Sequence, residues 1–123
     1  SIDNHSIFKR SEENLYYELP ISFSDATLGT TVEVPSIDGG KSKIKIPAGT
    51  QHGKQFRLKG KGMPVLRRSI FGDLYIRVAT QVPTSLSKRQ KEILEEFNEL
   101  EINKPDPVIK SFFEKAKKFW KSS

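Results

Sequence analysis

Leu74-Tyr75-Ile76-Arg77-Val78-Ala79-Thr80-Gln81-Val82 is the stretch on which the fold turns. Its residues alternate strictly, with Leu74, Ile76, Val78, Thr80 and Val82 on one face and Tyr75, Arg77, Ala79 and Gln81 on the other. A period of two is the signature of a half-buried strand, because successive side chains of extended backbone point to opposite sides. Gly72-Asp73 opens this strand and Pro83 closes it.

The same period recurs upstream. Leu15, Tyr17, Leu19, Ile21 and Phe23 share one face, and Tyr16, Glu18, Pro20 and Ser22 the other. Pro20 has no N–H for a ladder, which puts this strand on a sheet edge or leaves it unpaired on that side, and an edge offers a docking rail. Ser24-Asp25 then reads as the capped start of one helical turn that stops at Gly29. Residues 31–34 resume the alternation with Val32 and Val34 inward, Asp38-Gly39-Gly40 supplies a hairpin turn, and residues 42–46 return with Ile44 and Ile46 inward and Lys43 and Lys45 outward. Phe56 and Leu58 alternate with Arg57 and Lys59 in a short strand entering a bend shaped by Gly60 and Gly62. The loop beyond, residues 63–71, is expected to move. These signals predict a mainly β fold, a small β-sandwich of short strands with a short connector helix, followed by C-terminal amphipathic helices.

After Pro83 the period changes. Ser87 with Gln90 forms a capping-box pattern, and Ile93, Leu94, Phe97 and Leu100 recur at helical spacing. Residues 103–107, with two prolines, read as a linker. Val108, Ile109, Phe112, Phe113, Ala116, Phe119 and Trp120 then make a second apolar stripe, with lysines on the opposite face. The predicted organisation is a lead-in at residues 1–12 with no element of its own before Ser11, a β-domain at 13–86, a helix at 87–102, a linker at 103–107 and a final helix at 108–123.

With 123 residues, 35% of them hydrophobic and 29% charged, the chain has material for one modest core. No apolar run approaches the length of a membrane span, and the N-terminus lacks the layout of a secretory signal. The absence of cysteine excludes disulfides and thiolate metal sites. A soluble, cytoplasmic protein is the expectation. The first residue is serine, not methionine, so the chain is expected to be a fragment of a longer one.

Catalytic constellations are hard to assemble. His5 and His52 are the only histidines and lack metal-ligand spacing, no serine sits in a Gly-x-Ser-x-Gly elbow, and Gly60-Lys61-Gly62 lacks the spacing of a phosphate loop. Asp25, Asp38 and Asp73 stand at turns or strand starts, where aspartate caps backbone groups. No enzyme and no metal are expected. Lys54, Arg57, Lys59, Lys61, Arg67 and Arg68, with Phe56 and Tyr75, could form a nucleic-acid groove on a small barrel, but Phe56 takes the inward phase and leaves the required stacking ring missing. The final stripe is the sharpest physical signal, since so many aromatic side chains must be buried against something. Its own domain, a second copy of the chain and a membrane surface are the three possible covers.

A resemblance covers roughly residues 8–100. Phe23-Ser24-Asp25-Ala26-Thr27-Leu28-Gly29, Val34-Pro35 with Asp38-Gly39, Ile46-Pro47-Ala48-Gly49-Thr50-Gln51-His52-Gly53, Leu58-Lys59-Gly60-Lys61-Gly62-Met63-Pro64 and Gly72-Asp73-Leu74 resemble the second C-terminal β-domain of DnaJ-type cochaperones, in the same order, together with Gln90 and Leu94. Lys110-Ser111-Phe112-Phe113 and Lys117-Lys118-Phe119-Trp120 resemble the C-terminal end of the bacterial members. The resemblance implies a β-sandwich and a helix in a homodimer whose arms hold unfolded polypeptide for a DnaK-type chaperone. It implies no cofactor in this stretch: the J-domain with its His-Pro-Asp, the zinc-binding cysteine repeats and the first C-terminal β-domain would lie upstream, and Lys104-Pro105-Asp106 is not that tripeptide.

On this reading Tyr16 and Tyr75, outward by phase, and Met63 and Val65 in the loop are the candidates for peptide binding. Phe97, Leu100, Phe112, Phe113, Phe119 and Trp120 are the candidates for dimerisation. The expected partners are unfolded polypeptides, a second copy and, through the parent protein, a DnaK-type chaperone, with neither nucleic acid nor membrane among them.

Overall fold

In a computed structural model of the chain, residues 7–65 and 70–122 are described. They divide into two units, residues 1–83 and 84–123. His5, Arg67, Arg68 and the middle of the loop predicted at 63–71 lie outside the described residues.

The first unit holds β1 (Lys9–Ser11), β2 (Asn14–Ser22), α1 (Phe23–Leu28), β3 (Thr30–Pro35), β4 (Lys41–Ile46), β5 (Gln55–Leu58) and β6 (Leu74–Gln81). One sheet runs β1-β2-β6-β5, and β3 pairs with β4 in a second. β2 and β6 are parallel, Leu15 opposite Leu74 through Ser22 opposite Gln81, while β1 and β5 pair antiparallel on either side. Parallel neighbours need a crossover connection. Here the crossover contains α1, the β3–β4 hairpin and β5, so the hairpin is delivered as a second layer against the first sheet.

The core lies between those layers. Leu15, Tyr17 and Ile21 of β2, Leu74, Ile76 and Val78 of β6, Val34 of β3 and Ile44 and Ile46 of β4 form one buried cluster, with Phe56, Leu58, Leu19 and Val32 packed on its margin. These are the inward phases predicted for each strand. Phe8 adds its ring edge-on to Tyr17, centroids 5.2 Å apart. Burial of Tyr17 pushes its hydroxyl up to about 12, because a buried phenolate loses its hydration.

Several local expectations are corrected. The lead-in carries an element after all: β1 pairs Lys9 with Tyr16 and Ser11 with Asn14 around a turn in which Glu12 takes φ 56°. Its three polar residues are too few to show an alternation. The cap of α1 is Ser22, not Ser24; its hydroxyl accepts from the Asp25 N–H at 3.1 Å, while Ser24 Oγ lies 3.2 Å from Ser22 Oγ. Val82 falls beyond the end of β6 and is exposed, so it has no share in the buried face.

The bend after β5 depends on two glycines that admit no side chain. A Cβ on Gly72 would stand 2.2 Å from the Glu13 carbonyl oxygen, and one on Gly62 would stand 2.5 Å from the same atom. That close approach lets Gly62 N–H donate to Gly72 O at 2.8 Å and Met63 N–H donate to Glu13 O at 2.7 Å, locking the bend against the β1–β2 turn. The described ends of the loop are tied as well, by a Pro64–Phe71 bridge and a Val65 N–H to Ile70 O bond of 2.9 Å.

The second unit is helical, with α2 (Lys88–Asn103) and α3 (Pro107–Ser122). The predicted capping box is present in both directions, Gln90 N–H to Ser87 Oγ at 3.1 Å and Ser87 N–H to Gln90 Oε1 at 2.9 Å. The linker is shorter than its prolines imply. Pro107 is the first residue of α3, where its missing N–H costs nothing, and Asp106 Oδ1 accepts from Val108 and Ile109 at 2.9 and 3.2 Å.

Candidate peptide-binding groove and helical faces

The outer face of the four-stranded sheet is set by the phase opposite the core. Tyr16 on β2 and Tyr75 on β6 are register partners, and their rings stack at 5.1 Å with planes 13° apart. One step along, Glu18 and Arg77 are register partners as well, joined by a 2.8 Å ion pair from Arg77 Nη1 to Glu18 Oε2. Lys9 on β1 lies opposite Tyr16, and Gln55 on β5 lies opposite Arg77. Ile7, Lys9, Tyr16, Tyr17, Glu18, Gln55, Tyr75 and Arg77 line a groove of about 410 Å³ over this face.

The groove is an aromatic floor with a charged wall. Its floor suits an apolar side chain laid flat on the stacked rings. The exposed Glu18–Arg77 pair adds polarity at the margin and little stability of its own.

The backbone edge beside the groove is less available than the alternation implied. Leu15 N–H donates to Asp73 O at the start of β6, so the odd-numbered residues of β2 direct their amides toward β6 and the even-numbered ones toward the β1 side. β1 pairs only as far as Tyr16. Past it no described strand pairs with this side, which carries Glu18, then Pro20, which has no N–H, then Ser22, whose hydroxyl caps α1. The chain also occupies the margin of β6 beyond β5: Lys54 and Gly53 exchange backbone bonds with Val78 at 2.8 Å each, and His52 Nδ1 accepts from Thr80 N–H at 3.1 Å. His52 is therefore a strand-edge cap, a role that no spacing in the sequence announced.

The structure brings two of the four peptide-binding candidates together. Tyr16 and Tyr75 form the floor. Met63 is half-buried, packed against the core cluster and bonded through its backbone to Glu13 and Gly72, and Val65 is half-buried beside Ile70; neither lines the groove. The sequence missed Ile7, Lys9, Glu18, Gln55 and Arg77, because which outward residues adjoin depends on the strand order and not on any strand alone.

The basic cluster is divided by its partners. Arg57 is held by Asp73, Nε to Oδ2 at 2.6 Å, and Phe56 lies half-buried against the core. Asp73 Oδ1 accepts from Gly60 N–H at 3.0 Å; that bond, with Arg57 beside it, holds the carboxyl below its ordinary range. Asp73 thus fastens β5 to the glycine bend. Among the described residues no group of three or more histidine, cysteine or acidic side chains is placed to hold a metal ion, and no helix is long and apolar enough to cross a membrane.

In the helical unit the dimerisation candidates are open to solvent. Phe97 is 45% exposed, Leu100 64%, Phe112 62%, Phe113 52%, Phe119 69% and Trp120 64%. Phe112 and Phe113 meet edge to face at 5.0 Å. α2 and α3 do not pack on one another along their lengths.

Taken together, these features define a two-sheet β-sandwich module with an open aromatic groove and an appended pair of amphipathic helices. The chain belongs to the DnaJ C-terminal domain family: the family model described as DnaJ C terminal domain matches residues 1–83, and a second, Chaperone protein DnaJ C-terminal region, matches residues 89–122. It is 63% identical over 122 residues to the Chaperone protein DnaJ of Pelagibacter ubique and 49% identical over 120 residues to those of Brucella canis and Brucella suis. These alignments cover 99%, 98% and 98% of this chain and 32% of each relative, so the chain spans about a third of their length.

Proposed function

We propose that this chain is a client-holding and dimerising part of a DnaJ-type cochaperone, binding unfolded polypeptide weakly and passing it, through the longer protein, to a DnaK-type chaperone. The observation that carries the reading is the stacked Tyr16–Tyr75 floor of an open groove, on the face opposite the core. An unfolded chain exposes apolar side chains without a fixed sequence, and a shallow aromatic floor accepts them without selecting among them. The exposed stripes of α2 and α3 suit association with a second copy, which would place two weak sites in one particle and raise their joint affinity.

The function so read is non-enzymatic, needs no cofactor in this part and is exercised in the cytoplasm. Fluorescence anisotropy of an extended leucine-rich peptide tests it: saturable binding that weakens when Tyr16 and Tyr75 are replaced is expected, and absence of binding by the intact chain removes the client-holding reading. The same titration with single-stranded nucleic acid over a salt series, and co-sedimentation with anionic vesicles, is expected to show no association. Sedimentation of the intact chain should give the mass of two copies, and of a chain ending at Lys104 the mass of one.

A further inference from the structure

Register charts the outward face of the four-stranded sheet. One row across it reads Lys9, Tyr16, Tyr75 and Arg57, and the next reads Glu18, Arg77 and Gln55. The charges along these rows are not equally free. Arg77 is taken by Glu18 at 2.8 Å, and Arg57 is taken by Asp73 at 2.6 Å. Lys9 is exposed and forms no ion pair with an acidic side chain among the described residues.

Lys9 stands beside the aromatic floor. Its register partner is Tyr16, which stacks on Tyr75 at 5.1 Å, and all three line the groove. Antiparallel register partners have Cβ atoms about 4.5–5.5 Å apart, so the lysine stem begins at the margin of the rings. An apolar side chain seated on the floor holds its chain neighbours close to that margin. Extended backbone advances about 3.4 Å per residue, which places a residue one or two positions away within reach of a flexible four-carbon lysine arm. A carboxylate there meets an unpaired ammonium, whereas a lysine or arginine there meets a like charge. Glu18 offers no matching site for a basic flank, because Arg77 already occupies its carboxylate.

We propose that the groove prefers segments in which an apolar residue is flanked by aspartate or glutamate, with Lys9 as the residue that sets this preference. This rests on the client-holding reading above and goes further by naming the charge of the segment held. The tyrosine floor supplies the affinity without choosing among apolar side chains, and Lys9 sorts their flanks by sign. A solvent-exposed pair is weak, so the preference is modest, about fivefold between acidic and basic flanks.

Three peptides that share one leucine-rich core and differ only in their flanks, glutamate, serine or lysine, test the preference by fluorescence anisotropy on the full chain. The glutamate-flanked peptide is expected to bind about fivefold more tightly than the lysine-flanked one. The chain carries a net charge of +6, so general attraction must be separated from the groove. Lys9→Glu and Lys45→Glu change that charge equally, and Lys45 is exposed on β4 in the other sheet. Lys9→Glu is expected to abolish or invert the preference, and Lys45→Glu to retain it. The serine-flanked peptide should bind the unaltered chain and both variants within about twofold, which shows the variants folded and the floor intact. Equal affinity of the unaltered chain for glutamate and lysine flanks, or equal loss of the preference in both variants, overturns the selectivity. The client-holding reading then stands if the serine-flanked peptide binds. Failure of all three peptides to bind the unaltered chain removes that reading and the selectivity with it.

Discussion

Replacing Tyr16 and Tyr75 by alanine, singly and together, separates the groove from the core. Both rings lie on the face opposite Leu15, Tyr17, Leu74 and Ile76, so their loss leaves the buried cluster intact. An aromatic pair in this geometry is worth about 0.5–1.5 kcal/mol beyond its burial. The double-mutant cycle on unfolding free energy should therefore return a coupling of about 1 kcal/mol, measured from urea midpoints. Binding responds differently. A client leucine lying across the stack would cover on the order of 50 Å² of ring surface, and at about 25 cal/mol per Å² its loss is about 1.2 kcal/mol, close to tenfold in Kd. Phenylalanine at both positions keeps the rings and should bind within about twofold of the unaltered chain. The reasoning is refuted if the double alanine variant folds and binds an extended leucine-rich peptide as tightly as the parent.

Gly72→Ala drives a methyl to within 2.2 Å of the Glu13 carbonyl oxygen, so the β1–β2 turn must shift and should destabilise the β unit by about 2–4 kcal/mol, read by urea unfolding. Thr80→Val removes a buried hydroxyl that finds no hydrogen-bond partner among the described residues, and should leave stability unchanged or raise it by up to about 1 kcal/mol in the same assay. Tyr17 ionises in the folded chain near 12, against an ordinary value of 10.0. The unfolded chain therefore loses this proton first, and the contribution present below pH 10 is lost as pH rises toward 12. Its size, allowing for solvent near the hydroxyl, is about 1–2 kcal/mol; alkaline urea titrations should show the decline, and Tyr17→Phe should flatten it.

The strands were legible where the alternation was long. Leu74, Ile76 and Val78, and Leu15, Tyr17 and Ile21, face the core as their phase required, because a period of two leaves no other way to bury them. The capping box of α2 was legible because both of its hydrogen bonds join residues three apart in sequence. What could not be read is what depends on distant partners. β1 exists only because the turn at Glu12 returns it to β2, His52 matters only because Thr80 lies beside it, and Met63 turns inward because Glu13 and Gly72 hold its backbone. The candidate groove falls between these cases. Its floor followed from strand phase, whereas Lys9, Gln55 and Arg77 joined it through a strand order that the alternation does not encode.

The edge geometry bears on how tightly a client could be held. A peptide added as a new strand gains affinity from main-chain hydrogen bonds repeated at every second residue. Among the described residues that ladder is short along β2, since Pro20 supplies no amide and the Ser22 hydroxyl caps α1. Beside β6, Lys54, Gly53 and His52 occupy the corresponding groups. Client binding as proposed would then rest on side chains meeting the tyrosine floor, which is worth only a few kcal/mol per contact and does not discriminate sequence. The same features that protect the sheet from pairing with other edges would make such holding brief and promiscuous. For such a site, useful retention would depend on linking two copies, which the proposed association through the exposed helical stripes would supply. Restoring an amide with Pro20→Val should test the point: tighter peptide binding together with a greater tendency to aggregate is expected, and unchanged affinity in a folded variant would show that β2's open side takes no part in holding clients.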